Sequence, residues 1–287
     1  EQVVDRVVRT PRVLTIVNTR KQAARLFDAV RATGTPCRHL SALMCPQHRS
    51  ARVAEIREAL AKPDAPCRVI STQVVEAGID IDFPVVYRAM AGLDSIIQSA
   101  GRCNREGRLS ERGHVFVFDT DENPPPDIKR RIEATRDVLQ DNADPLDLST
   151  VEAWFREVYF RRKDEWDGGA GISVTADLAP DRLKFRSVAE QYNIIDQWSV
   201  PVVVPYEKEG AELCRLLQQS HKVEAHHLRQ AQRYSVSVAP WALAHLQSQG
   251  HVTGGDTTLS VLISKSLYDD EVGLRLNGEP EPRDLCA

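Results

Sequence analysis

The sequence predicts an α/β fold. It calls for a parallel sheet with helices on both faces, then a helical linker and a small mixed α+β domain. Two observations carry this. Through residue 120, short β-branched apolar runs alternate with segments of helical spacing. After a proline-rich break that alternation stops, and shorter strands and helices follow in mixed order. The chain has 287 residues, 42% of them hydrophobic, which suffices to bury a core and excludes the disordered class.

Residues 12–17, RVLTIV, read as a buried strand ended by Asn18 and Thr19. Residues 21–31 carry Ala24, Leu26, Phe27 and Val30 at helical spacing, and Gly34 stops that helix. Residues 37–40 form a second short strand. Residues 46–60 are helical, with Val53, Ile56 and Leu60 on one stripe, and Pro63 closes the unit. Strands follow at 68–72, 85–89 and 114–118, with a helix at 93–103. Ligand-handling loops lie at the carboxyl ends of strands in such sheets. That rule singles out Thr19, the 73–80 turn and the start of the 93–103 helix.

The run DENPPP at 121–126 disfavours helix and central strand alike. Helices are expected at 127–140 and 150–164, and DGGAG at 167–171 is a second break. The expected units are therefore 1–120, a linker at 121–181, and a C-terminal domain at 182–287. In the last unit 192–196, 200–204, 234–238 and 259–263 read as strands, and 207–219 and 241–249 as helices. Residues 272–276 are expected to pair with 259–263 across Asp269 and Asp270.

The formal net charge is −4. Residues 1–120 nevertheless hold 18 Lys and Arg against 13 Asp and Glu, and the remainder 19 against 28. A locally basic groove is compatible with that distribution. No apolar run approaches the ~20 residues of a membrane span. The six cysteines form no C-x-x-C pair and match no zinc spacing, so reduced thiols of a cytoplasmic protein are expected. The adjacent His226 and His227 would diverge on a helix, and no metal site is expected. The first residue is Glu1 rather than Met, which points to a processed chain or a piece of a longer one.

Two segments carry chemistry. In QSAGRCNR, residues 98–105, helical spacing would set Gln98, Arg102 and Arg105 on one face. Two guanidinium groups suit a polyphosphate, because they stay ionised and form paired bonds to its oxygens. A solvated basic helix end fits the octapeptide equally well. In STQVVEAGIDID, residues 71–82, polar groups follow directly on a buried strand. Thr72 offers a hydroxyl and a backbone N–H to a phosphate. Gly78 permits a tight turn, and Asp80 and Asp82 point the same way if the segment is extended. An ordinary loop with Asp as turn former is the competing account.

Together these segments resemble motifs V and VI of superfamily 2 helicases, and IVNTR at 16–20 resembles motif IV. FRSVAEQYNIID at 185–196, VPVVVPY at 200–206 and LYDDEVGL at 267–274 are similar to one group within it. That group is the CRISPR-associated helicase–nuclease of type I interference systems. The resemblance covers most of the chain, least over 121–180. It implies a second RecA-like lobe followed by the C-terminal domain of an ATP-dependent single-stranded-DNA translocase coupled to a nuclease.

Carried over by position, Arg102 and Arg105 match arginines that reach ATP phosphates held mainly by a first lobe. Gln98 matches a glutamine near the nucleotide and the lobe interface. Gly78 and Asp80 match positions that couple nucleotide to DNA, with Asp80 near the ribose. Thr19 and Thr72 match positions on the DNA phosphate backbone. The implied cofactors are ATP and Mg2+, shared with the first lobe, and nuclease metal ions held by a His-Asp domain. Neither a phosphate-loop motif nor a His-Asp pair occurs in these residues, so the chain alone is expected to be inactive. The implied partners are single-stranded DNA, the first lobe and nuclease domain of the same protein, and a CRISPR RNA-guided effector complex, with no membrane. Of Trp198, Tyr206, Tyr234 and Trp241, most are expected to pack a core rather than stack on bases. Arg229 and Arg233 are expected on a solvated face. Two other classes fit the motifs: a non-catalytic docking or regulatory module, and the second lobe of another remodeller of RNA or DNA.

Overall fold

Apolar residues on both sides of β1, β3 and β4 bury the central strands on both faces, while the edge strand β5 is largely exposed. The computed structural model describes residues 2–62, 64–76, 78–107, 112–122, 124–140, 144–159, 183–186, 199–219, 223–254 and 259–276. Strands β1 (Arg12–Ile16), β2 (Arg38–Leu40), β3 (Cys67–Ser71), β4 (Val85–Ala89) and β5 (His114–Phe118) form one parallel sheet in the order β2-β3-β1-β4-β5. Leu14 and Ile16 face a core shared with Ile56 and Ala59 of α3 (Pro46–Ala61). Val13 and Val17 face the opposite core, shared with Phe27 and Val30 of α2 (Arg20–Ala32). The period of two along β1 thus seats one helix on each face.

A first helix, α1 (Gln2–Arg9), precedes the sheet and escapes the sequence reading. Its Val3, Val4, Val7 and Val8 have helical spacing, but valine is a weak helix former. Tertiary contacts hold it: Val7 is buried against the α2 side, and Arg68 of β3 donates to the carbonyls of Val7 and Val8, both at 3.0 Å. That cation at the helix C-terminus satisfies carbonyls the helix cannot.

Past β4 comes α4 (Leu93–Ala100), and past β5 come α5 (Pro126–Leu139) and α6 (Leu148–Tyr159). These three helices bury Leu93, Ala134 and Trp154 between them. A second sheet, in the order β7-β6-β9-β8, is built from β6 (Val200–Val203), β7 (Ser235–Val238), β8 (Val252–Thr253) and β9 (Ser260–Leu262). Helices α7 (Glu207–Gln219), α8 (Ala225–Arg233) and α9 (Pro240–Ser248) accompany it. Tyr206 and Tyr234 are buried in its core, whereas Trp241 is exposed. Trp198, the 192–196 strand and Cys286 lie outside the described residues. The five described cysteines are free thiols. No described helix is long and apolar enough to cross a membrane.

One expected pairing is corrected. Residues 273–274 do not pair with 260–262; β11 (Gly273–Leu274) pairs antiparallel with β10 (Tyr268–Asp269). The Asp269 carboxylate accepts from the N–H groups of Glu271 and Val272, at 2.7 and 3.0 Å, and closes a tight turn. Leu274 N–H then donates to Leu43 O at 2.8 Å, which joins this hairpin to the loop before α3.

The joint is reinforced by a polar cluster. The Tyr268 hydroxyl accepts from the Cys45 N–H at 3.1 Å and shares a hydrogen bond of 3.0 Å with His48 Nδ1. An imidazole with its proton on Nε2 takes the hydroxyl proton there as acceptor. The His48 ring stacks on Tyr206, with centroids 4.3 Å apart. Burial, with nearby Arg52 adding to it, lowers the His48 pKa to about 4.

Two outcomes follow. Gly273 has φ +83°, and a Cβ there would lie 2.3 Å from Leu43 O. Gly273→Ala should destabilise the chain by roughly 2 kcal/mol or more in a denaturant titration, from strain and clash together. Second, His48 is neutral when folded and has an ordinary pKa when unfolded. Its contribution is complete above about pH 6.5 and is lost as pH falls toward 4, a span worth roughly 3 kcal/mol. Thermal melts across that window should show a shallower acid slope for His48→Phe than for the unaltered chain.

Candidate nucleotide and nucleic-acid site

Thr19 and Thr72 lie past the carboxyl ends of β1 and β3, whereas Asp80 and Arg105 meet beside the amino end of β4. Thr19 follows β1 and is the N-cap of α2, its Oγ accepting from Gln22 N–H at 3.0 Å. A hydroxyl that accepts can still donate, and the 13-residue helix behind it presents its positive end there. Thr72 follows β3, which is hydrogen-bonded to β1 with Ile16 opposite Ser71. Thr72 is buried, and its N–H donates to Leu40 O at 3.3 Å. The expected use of that N–H for a phosphate is therefore corrected, because the sheet already takes it. Its hydroxyl remains.

The 73–82 segment begins as a short 3-10 turn, Gln73–Val75. Gly78 follows with φ +72° and open space around it, a conformation costly for other residues. Val75, Ile81 and Phe83 fold back into the core on the α3 side, which anchors the loop at both ends.

The 98–105 segment departs from expectation. Helix α4 stops at Ala100, with Gly101 as its cap. Phe83 N–H donates to Arg102 O and Asn104 N–H donates to Phe83 O, both at 3.0 Å. Those strand-like bonds compete with further helical ones, and Asn104 has φ +49°. Gln98, Arg102 and Arg105 consequently do not share one helix face. Gln98 is exposed on α4, Arg102 is buried, and Arg105 is exposed beyond the turn.

The structure joins the two segments another way. Arg105 Nη1 donates to Asp80 Oδ1 at 2.7 Å. The Asp82 carboxylate accepts from the N–H groups of Arg105 and Glu106, at 2.9 and 3.2 Å. Both Asp80 and Asp82 thus face the same turn. The Arg105–Asp80 pair is exposed on both sides, so it is worth at most about 1 kcal/mol and opens readily. Arg102 differs: its Nη2 donates to Glu76 O at 2.6 Å inside the protein.

Further residues, given no role by the sequence reading, hold this junction together. Arg88 of β4 is fully buried. Its Nη1 donates to Asn18 Oδ1 at 2.8 Å and to Ala89 O at 2.9 Å. Its Nε lies 3.2 Å from Glu76 Oε1, an ion-pair distance without hydrogen-bond alignment. Glu76 Oε2 accepts from Ser95 Oγ at 2.9 Å, and Oε1 from Ser99 Oγ at 3.4 Å. Asn18 Nδ2 donates to Met90 O at 2.8 Å, and Gln73 Nε2 donates to Asn18 O at 3.0 Å. Burial raises the Glu76 pKa and the nearby Arg88 cation opposes that rise. One sequence signal points to Arg88: it is a charged residue inside an apolar strand, which requires a buried counter-charge.

Residues 9–108 match the family described as CRISPR-associated nuclease/helicase Cas3, C-terminal. A CRISPR-associated nuclease/helicase Cas3 of Haloferax volcanii is 43% identical over 77 residues, which are 25% of this chain and 8% of that protein. Over these residues the chain is similar to Cas3 proteins. A Cas3 of Methanothermobacter thermautotrophicus is 26% identical over 162 residues, 54% of this chain and 19% of that protein. The fold is similar to a crystal structure titled T. fusca Cas3-AMPPNP, with a TM-score of 0.60 at 13% identity over 96% of this chain and 40% of that one. The chain thus spans less than a fifth of either curated relative.

Asp82 should prove the organiser of the exposed turn. Asp82→Ala removes the acceptor for two backbone N–H groups, which costs about 1 kcal/mol. Amide exchange at Arg105 and Glu106 should quicken by several-fold, while exchange in β1 stays unchanged.

Proposed function

We propose that this chain is the ATP-coupling and strand-guiding part of a helicase–nuclease that degrades invading DNA in CRISPR interference. On this reading residues 1–120 are the second RecA-like lobe, 121–181 a helical linker and 182–287 the C-terminal domain. ATP lies between this lobe and a first lobe. Single-stranded DNA crosses both and is moved in steps as their spacing changes.

The observation that carries the reading is the junction of Asp80 and Asp82 with Arg105. It brings motif V and motif VI together beside the amino end of β4, where Phe83 bonds Arg102 and Asn104. Arg105 fits a polyphosphate, because its guanidinium is exposed and its one ion pair is weak. Release of Asp80 from that pair frees a carboxylate for the ribose hydroxyls. Arg102, held by Glu76 O, supplies a fixed positive charge beside the same phosphates. Gln98 lies on the exposed face of α4 toward the first lobe. Gly78 lets the loop backbone turn there. Thr19 and Thr72, from adjacent strands, contact the phosphate backbone of the DNA through their hydroxyls.

Among the described residues no three His, Cys, Asp or Glu side chains converge on one point. In this proposal Mg2+ is held by the first lobe, and the nuclease metal ions by a His-Asp domain. Bound ATP with Mg2+ supplies the phosphoryl transfer, and this chain's arginines orient the phosphates and balance charge on the transferred group. A CRISPR RNA-guided effector complex is the proposed loading partner.

Reconstitution tests this. The chain alone should hydrolyse almost no ATP. A first RecA-like lobe added in trans should restore DNA-stimulated hydrolysis, and Arg102→Ala or Arg105→Ala should lower kcat by about 100-fold or more. DNA-stimulated hydrolysis by the chain alone would sink the proposal. Binding to an effector complex with no hydrolysis under any pairing would favour a docking module instead.

A further inference from the structure

We infer that Arg88 and Glu76 are positioning residues that link the DNA-facing and nucleotide-facing sides of this lobe. The inference deepens the function proposed above and rests on it. Glu76 lies between Thr72 and Gly78 in sequence, and so between the two sides. Its carbonyl holds Arg102 at 2.6 Å. Its carboxylate is held by Arg88, Ser95 and Ser99. Arg88 in turn holds Asn18 at 2.8 Å, immediately before Thr19. Gln73, immediately after Thr72, closes the circuit on Asn18 O at 3.0 Å. Any displacement of Thr19 or Thr72 by a bound strand therefore reaches Arg102 through two buried side chains.

Stability alone does not account for the pair. A buried ion pair is commonly matched or bettered by apolar residues of similar volume. Here Arg88 Nη2 and Arg102 Nε have no hydrogen-bond partner among the described residues, so the network is not optimised for hydrogen bonding. What the pair does supply is direction. A guanidinium with fixed planar donors, clamped between a carboxylate and an amide, sets the spacing of three loops more sharply than apolar contact does. Ser95 and Ser99 tie the same carboxylate to α4, whose end leads into the 101–105 turn. The pair thus touches all three motif segments, although neither residue faces the exposed surface.

The test uses the chain reconstituted with a first RecA-like lobe, and measures ATP hydrolysis with and without single-stranded DNA. The readout is the ratio of the two rates, which is independent of the fraction of folded protein. Arg88→Met and Glu76→Gln each leave an unpaired buried group and should also lower the melting temperature. The double variant removes both charges and should melt close to the unaltered chain. Its stimulation ratio should nonetheless fall about tenfold, the scale of changes along a coupling network, with the KM for ATP changed less than about twofold. Ser95→Ala introduces no unpaired charge and should lower the ratio about threefold. A double variant, or Ser95→Ala, that folds with an unchanged ratio overturns the inference. If the unaltered pair of lobes shows no hydrolysis, the failure belongs to the proposed function rather than to Arg88 and Glu76.

Discussion

The first sheet closes around one buried carboxylate. Glu76 has left the end of β3 and lies under α4, where water cannot solvate it. The structure meets that cost with Arg88 from β4 and with two serines of α4. A charge so placed cannot be left without its partner, since removing either member of a buried pair costs several times what the intact pair contributes. The loop after β3, the strand β4 and the helix α4 are therefore fixed relative to each other by electrostatics as well as by the apolar core. Everything exposed at that edge, including Arg105 and Asp80, is carried on this frame.

The junction between the two sheets obeys a different rule. It is built from backbone proximity that only glycine allows, and from a neutral histidine. Gly273 brings β11 against Leu43, and Tyr268 bridges Cys45 to His48. The second core includes Cys45 and partly buried Leu43 of the first unit, so it extends across the joint. Arg52 adds a bond to Asp270 O at 2.8 Å from the middle of α3. These contacts are short and directional, and they make the C-terminal sheet an extension of the lobe.

Much of the first sheet was legible in the sequence because its central strands are buried on both faces. Such strands read as unbroken β-branched runs, and helices of ordinary length separate them. The 93–103 helix ran too far because spacing cannot register competition from a distant segment. Gly101 permits a stop there, but Phe83, across the junction, is what draws Arg102 and Asn104 into strand-like bonds. The same blindness hid α1, whose valines oppose a helix that Arg68 and the α2 side stabilise. It also hid the partner of residues 273–274, since a two-residue strand carries no periodicity. Gly78 and the two aspartates were readable as a turn. Which groups they would face was not, because that depends on where α4 ends.

The two arginines of motif VI divide their labour by environment. Arg105 stands in water with a partner that competes weakly, so its position can follow a ligand. Arg102 is buried beneath it, bonded to a carbonyl that does not titrate and cannot move without Glu76. A mobile cation and a fixed one side by side repel each other, and a polyanion between them relieves that repulsion. Asp80 and Glu76 offset part of that repulsion within the chain itself. Helical spacing of Gln98, Arg102 and Arg105 predicts a shared face that the turn after Ala100 does not build. Two guanidiniums near one phosphate do not require a shared helix face. They require a turn that sets one of them deep and the other free.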